Sequence, residues 1–147
     1  MSSNQTEILN AIESRITALS LGRDKLKYSY DLEKNSTKDE KNSYGFGAAE
    51  ASTTAGTLKS ITLNQTFFVV LTETFVNRRG DAKEDVAIKS IYDDLEVIYA
   101  DFVISKLGIP ATILLVSELG LDAPEKISDN TISVKANFTI MHRQPTT

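Results

Sequence analysis

Few residues in this chain have side chains that could do chemistry. There is one histidine, His142, and no cysteine, which excludes disulfides, thiolate metal sites and a cysteine nucleophile. A single imidazole cannot build a histidine-based zinc site unless carboxylates supply the other ligands. No Ser-His-Asp arrangement is indicated around it, and we interpret His142 as a surface residue at the end of a strand.

Carboxylates are concentrated on one predicted helix, at Asp93, Asp94, Glu96 and Asp101. Paired carboxylates could act as acid and base or bind a hard cation. These positions avoid the apolar face of the helix, which is typical of a solvated helix surface. The sequence therefore predicts no catalytic residue, no metal site and no cofactor.

One short motif resembles a nucleotide-binding loop. Tyr44-Gly45-Phe46-Gly47 contains a Gly-x-Gly. It opens no predicted helix, and no Lys-Ser/Thr pair follows it, so a phosphate-binding loop is not predicted.

The elements that would position these residues follow from hydrophobic periodicity. The first half of the chain is predicted to contain a helix from Asn4 to Gly22, a half-buried strand over residues 26–33 and a long strand over residues 58–75 with a bend near Asn64-Gln65. After a turn over residues 77–80, we predict a long helix over residues 83–106, opened by Asp81 and stopped by Gly108 and Pro110. The last part is predicted to be a strand pair over residues 111–119 and 131–143, joined by a loop. Few strands are separated by helices in this α-β-β(β)-α-β-β order. This pattern predicts an α+β domain over residues 1–147, with a mostly antiparallel or mixed sheet packed against the N-terminal helix and the long helix.

Two stretches indicate interaction surfaces. Residues 34–57 are rich in Ser, Thr, Ala and Gly, and their only large apolar side chains are Tyr44 and Phe46. A structureless stretch of this length is uncommon inside a compact domain. We predict a flexible arm whose two aromatics dock into a neighbour; the alternative is a disordered insert whose aromatics rest on their own domain.

The second surface is the back of the long helix. At 100° per residue, the predicted core face carries Ile88, Ile91, Tyr92, Leu95, Ile98, Tyr99 and Phe102, and the opposite side carries Val86, Val97, Ala100 and Ile104. A helix with its back in water does not need that second apolar stripe, so either another layer of the domain or a partner covers it. Tyr44, Phe46, Val97, Ala100 and Ile104 are the candidate interface residues.

Charge and hydropathy narrow the classes of partner. The net charge of −4 favours solubility and argues mildly against non-specific nucleic-acid binding. The sequence has no basic-then-apolar leader and no apolar run of about 20 residues, so we expect a cytoplasmic protein without a membrane partner.

The plan of the whole chain resembles that of the tail terminator (tail completion) proteins of long-tailed bacteriophages. The resemblance rests on the order of the elements: a helix at residues 8–19, a strand at 28–33, a long loop, the strand Leu-Lys-Ser-Ile-Thr-Leu-Asn-Gln-Thr-Phe-Phe-Val-Val-Leu-Thr at 58–72, a helix at 83–106 and the strand Asp-Asn-Thr-Ile-Ser-Val-Lys-Ala-Asn-Phe-Thr-Ile-Met-His-Arg at 129–143. It covers most of the chain.

The resemblance implies a hexameric ring that caps the tail tube, stops its growth and presents the surface that joins the head. Its partners would be other copies of the chain, the tail tube protein and a head-completion or neck protein, with DNA passing through the ring without specific binding. The protein would lie in the host cytoplasm before assembly and in the virion neck afterwards, without cofactor or catalysis. The alternatives are another head-tail connector or neck adaptor, a monomeric binding adaptor, or an enzyme or small-ligand domain whose site is completed between subunits around Asp94, Asp101 and His142.

Overall fold

A computed structural model describes residues 4–27, 29–30, 42–56, 60–75, 83–128 and 130–145. The elements in this part of the chain are the helices α1 (Asn4–Leu19) and α2 (Lys83–Ser105), a 3-10 turn (Lys106–Gly108), and the strands β1 (Asp24–Lys25), β2 (Ser43–Gly56), β3 (Ser60–Thr74), β4 (Ile113–Leu121), β5 (Glu125–Ser128) and β6 (Thr131–Pro145). The predicted α+β class and the predicted order of the main elements are confirmed.

The six strands form one mixed sheet in the order β1-β2-β3-β6-β4, with β5 pairing with β6. Among the strand pairs of the described residues, only the short β1–β2 pair is parallel. The centre of the sheet is the β3–β6 pair, which runs antiparallel without a register shift from the Ser60–Pro145 pair to the Thr74–Thr131 pair. Because β3 pairs with one side of β6 along its whole length, β4 and β5 share the other side.

Both helices pack against the same face of this sheet. Alternate residues of β3 and β6, such as Phe67, Val69 and Phe138, are buried together with the apolar faces of α1 and α2. The Phe102 and Phe138 rings lie 5.6 Å apart between α2 and β6. Each large apolar side chain buried in this way contributes about 1.5–3 kcal/mol, so the helix-facing side of the sheet is the stabilising layer.

The end of α2 follows the sequence prediction. The regular helix stops at Ser105, and the chain then passes through positive φ at Lys106 (48°), Leu107 (59°) and Gly108 (74°). Glycine adopts this left-handed conformation at little cost, and Leu107 is held there because its side chain is buried. The chain is thereby turned from the helix into β4.

Three predictions about the strands were wrong. The strand predicted over residues 26–33 is replaced by the two-residue β1 at Asp24–Lys25, and residues 26, 27, 29 and 30 are not in a strand. No bend interrupts β3 near Asn64, because β6 pairs with it continuously; the irregularities lie in β2, at two register shifts. The loop predicted between β4 and β6 contains the short strand β5.

The prediction of a flexible arm over residues 34–57 is also wrong for residues 43–56, because Ser43–Gly56 is strand β2. The backbone of β2 pairs with β3 along one edge, which satisfies the hydrogen-bonding groups on that edge although most of its side chains are small. Residues 34–41 and 57 of the predicted arm, the predicted turn at 77–80 and Asp81 lie outside the described residues.

Candidate interaction surface

The back of α2 is exposed in the single chain. Val97 is 46% exposed and Ile104 is 85% exposed, and Ala100 between them is exposed as well. Val86, one end of the same stripe, is also in solvent. The described part of the chain supplies no second layer over this stripe, which is one of the two alternatives that the sequence left open.

The apolar character of α2 continues around the helix from its back to its side. Val103 is exposed and lies, at 100° per residue, between Ala100 and Tyr99. Val97, Ala100, Val103 and Ile104 lie near the C-terminal end of α2, and the charged residue beside them, Asp101, is paired with Arg15. We call these four residues the α2 apolar surface.

A groove borders this surface on the side of β4. It has a volume of about 440 Å³ and lies between Tyr92, Leu95, Glu96 and Tyr99 of α2, Leu121 of β4, and Ala136 and Phe138 of β6. Leu95 and Phe138 are buried at its floor, whereas Tyr92 and Leu121 are partly exposed at its rim. Tyr92, predicted on the core face, is therefore a rim residue of an open groove.

Tyr44 and Phe46 do not belong to this surface. Tyr44 is only 6% exposed and Phe46 packs against the core, with their rings stacked 6.4 Å apart. The Tyr44 hydroxyl lies 3.5 Å from Thr17 Oγ1 on α1. Both side chains lie on the face of the sheet that the helices cover, whereas the α2 apolar surface lies on the side of α2 that points away from the sheet. Tyr44 and Phe46 therefore rest on their own domain, and the prediction that they dock into a neighbour is wrong.

The carboxylates Asp94 and Asp101 are held by two arginines. Arg15 donates from Nε to Asp101 Oδ2 at 2.9 Å and from Nη2 to Asp101 Oδ1 at 2.5 Å, and these hydrogen bonds raise the pKa of Arg15. Asp94 accepts a hydrogen bond of 2.9 Å from Arg23 Nε. Both carboxylates therefore serve to join α2 to the N-terminal part of the chain.

Arg23 is the centre of a buried polar network that the sequence analysis missed. Its side chain is 2% exposed, and besides Asp94 it donates to Glu73 Oε1 at 2.9 Å and to the Thr72 carbonyl at 2.7 Å. Ser90 of α2 donates to the same Glu73 oxygen at 2.8 Å. No local signal in the sequence identifies Arg23, because its partners lie 49 to 71 residues further along the chain.

His142 is fully buried, which corrects its interpretation as a surface residue. Its Nε2 lies 3.2 Å from Gln65 Oε1, its ring contacts Phe67 edge-on, and its Nδ1 has no hydrogen-bond partner among the residues that the structure describes. Burial lowers the pKa of His142, because desolvation disfavours the charged imidazolium. The histidine is paired across the sheet with Leu63.

Within one chain, two residues of the competing enzyme hypothesis, Asp94 and His142, lie far apart. Arg23, the partner of Asp94, binds Thr72 and Glu73, which lie about 30 Å along β3 from Leu63, the neighbour of His142, at about 3.3 Å per residue. Within the described residues, no group of three or more His, Asp or Glu side chains could hold a metal ion. No helix in that part of the chain is long and apolar enough to span a membrane.

No protein-family model matches this chain, and no curated protein sequence matches it significantly. The exposed α2 apolar surface is the strongest candidate for a functional surface on the fold.

Proposed function

We propose that this protein is a structural virion subunit, a tail terminator or tail completion protein that forms a ring on the tail tube and joins it to the head. The observation that carries the proposal is the α2 apolar surface, which is uncovered in the single chain. The particular role in the tail rests on the resemblance in element order to the tail terminator proteins.

The α2 apolar surface has the properties of a subunit contact. Ala100 is small, so another backbone or side chain can approach α2 closely between Val97 and Ile104. Each aliphatic side chain that a partner fully buries contributes about 1.5–3 kcal/mol before the costs of association. A contact between this helix and a different surface of the next copy is heterologous, and such contacts close into rings when the rotation permits.

The ion pairs of the charged residues within the chain support a function that depends on protein contacts. Asp94 and Asp101 bind arginines of their own chain, and Glu73 completes the Arg23 network. Carboxylates held in this way stabilise the packing of α2 and are not available to a substrate. Partners in this proposal are other copies of the chain, the tail tube protein and a neck or head-completion protein.

Native mass spectrometry of the protein, alone and with purified tail tubes, tests the proposal. We expect a closed assembly, six subunits by the resemblance, at least in the presence of tubes. Electron microscopy of tails with the labelled protein should place it at the head-proximal end of the tube. A label at another position in the neck would favour the connector or adaptor alternative, and virions without this protein between tube and head would contradict the assignment.

A further inference from the structure

Residues 24–27 and 29–30 lie along the edge of β2 that does not pair with β3. We call these residues the edge strap. It begins as β1, which pairs in parallel with β2 at the Asp24–Ser43 and Lys25–Tyr44 positions. The backbone N–H of Leu26 then donates to the Tyr44 carbonyl at 2.8 Å. Further along the edge strap, Ser29 and Tyr30 bond to this edge through their side chains.

Two side-chain hydroxyls of the edge strap bond to this edge beyond Leu26. Ser29 Oγ accepts a hydrogen bond of 3.3 Å from the Phe46 N–H. The Tyr30 hydroxyl accepts one of 2.9 Å from the Ala48 N–H and donates one of 3.1 Å to the Ala48 carbonyl. One phenol thus makes both bonds that a neighbouring strand would make to Ala48.

The Gly-x-Gly of the sequence makes room for the edge strap. A Cβ at Gly45 would lie 2.7 Å from Ser29 Oγ, and a Cβ at Gly47 would collide with the Tyr30 phenol. Glycine is thus the residue that lets the edge strap lie against β2 at both positions. The Tyr30 ring also meets the ring of Phe68 edge-on, at 5.1 Å between centroids.

Tyr30 lies over an apolar floor and is itself largely exposed to solvent. It is 72% exposed, whereas Phe68 and Val70 on the outer face of β3 are buried. These two residues floor a groove of about 340 Å³ that Tyr30, Ile127 and Lys135 also line. Lys135 Nζ stands 4.5 Å from the Phe68 ring centroid. If Tyr30 moved away, both polar groups of Ala48 and part of this apolar floor would be open.

We propose that the edge of β2 at Phe46 and Ala48 is a strand-addition site, which the edge strap occupies as an internal substitute for a partner protein. In strand addition, main-chain hydrogen bonds provide affinity and side-chain pockets provide specificity. The edge strap identifies the partner chemistry: an extended segment parallel to β2, with a hydroxyl residue beside Phe46 and an aromatic residue over Phe68. This site lies on the other side of the sheet from α2 and does not depend on the proposed ring.

Binding of a synthetic peptide to the full chain tests this site. The probe is a fluorescent peptide with the sequence of residues 24–30, Asp-Lys-Leu-Lys-Tyr-Ser-Tyr, and the opened variant is Ser29→Ala/Tyr30→Ala. Fluorescence anisotropy should show about tenfold tighter binding to the opened variant than to the unchanged chain, because the peptide no longer competes with the internal hydroxyls. A matched peptide with its last tyrosine changed to alanine should lose this preference.

Hydrogen exchange locates the binding. The Ala48 amide should exchange about tenfold faster in the opened variant and regain protection with the peptide. Tyr30→Phe keeps the ring contact and removes only the hydroxyl bonds, so it should give the same effect on Ala48 even if the double variant unfolds. Equal peptide affinity for both chains, or unchanged Ala48 exchange in Tyr30→Phe, would overturn the proposal. Self-association of the opened variant that the peptide competes away would overturn the assignment to a foreign partner.

Discussion

At the scale of single residues, two buried polar side chains set the internal electrostatics of this protein. Arg23 is buried with three acceptors, namely Asp94, Glu73 and the Thr72 carbonyl. His142 is buried, and its Nε2 lies within hydrogen-bonding distance of Gln65. A buried, paired charge destabilises the fold when one of its partners is removed. A buried histidine destabilises the fold when it becomes protonated, because the charged form is desolvated.

Removal of the Arg23 charge should destabilise the fold. In Arg23→Met, Glu73 and Asp94 lose their cation, and we expect the free energy of unfolding to fall by about 2–3 kcal/mol, less than for fully buried pairs because the Asp94 carboxylate is partly exposed. Urea unfolding followed by circular dichroism measures it. The control Arg15→Met removes the more exposed pair with Asp101 and should cost less. Equal losses in the two variants would contradict the central role of Arg23.

His142 should make stability depend on pH. An unfolded chain titrates its histidine near pH 6.5, and the pKa of the folded protein is lower because of burial. Between the two values the unfolded chain binds more protons, so the contribution of His142 to stability is constant above about pH 6.5 and declines as the pH falls below it. Thermal unfolding from pH 8 to pH 5 measures this effect. The variant His142→Gln, neutral throughout, should show a flatter profile; parallel profiles would refute the prediction.

At the scale of elements, α2 and β2 contribute to the fold in different ways. α2 carries two apolar faces, one buried against the sheet and one exposed, so its exposed face can change without loss of the fold. β2 carries few large side chains, but it lies between β1 and β3 in the sheet. Its contribution to the fold is backbone pairing together with the burial of Tyr44 and Phe46.

Charges on the exposed face of α2 should affect assembly and leave folding unchanged. In Val97→Lys/Ile104→Lys, both side chains point into solvent, so we expect a melting temperature close to that of the unchanged chain and weaker ring formation or tail attachment. The matched control Leu95→Ala removes a buried side chain of the same helix and should cost about 2–5 kcal/mol of stability. If the double lysine variant unfolds the isolated chain, the α2 apolar surface is not a partner contact.

Deletion of residues 43–51 should unfold the protein. An arm could be removed without effect on stability, but this segment is paired with β3 from the Ser43–Thr72 pair to the Ala51–Gln65 pair. The deletion removes Tyr44 from the core and leaves the edge of β3 without partners over this length. Circular dichroism during heating should show no cooperative transition; a cooperative melt at the original temperature would place β2 outside the folding unit.

At the scale of the whole molecule, the helices cover one face of the sheet and the α2 apolar surface faces outward from that layer. The proposed ring joins copies through this surface, which has no charged residue among its four members. Apolar contacts respond to salt differently from ion pairs, because screening weakens only interactions between charges. The nature of the subunit contact can therefore be read from its dependence on ionic strength.

The assembled state should resist salt. Between about 0.1 M and 1 M ionic strength the Debye length falls from about 10 Å to about 3 Å, and we expect the mass of the assembly to stay constant or rise over this range. Sedimentation velocity at several salt concentrations measures it. Dissociation in high salt would show that ion pairs hold the copies together and would contradict the assignment of the contact to the α2 apolar surface.

The sequence by itself determined the elements whose side chains repeat with a clear period. The core face of α2, its end near Gly108 and the alternation in β3 and β6 were all predicted, because local periodicity reports which side of an element is buried. The exposed stripe at Val97, Ala100 and Ile104 followed from the same periodicity. Sequence alone also excluded cysteine chemistry, since this depends only on composition.

Only the tertiary structure decided the features that depend on partners distant in the chain. β2 has little strand signal of its own, and it becomes a strand because β3 supplies hydrogen-bonding groups along its edge. The role of Gly45 and Gly47 became evident only with Ser29 and Tyr30 lying against them. Likewise, Asp94 is an ion-pair partner because folding brings Arg23 to it across 71 residues. Such contacts leave no periodic pattern in the local sequence, because the two partners are far apart in the chain and meet only in the folded protein.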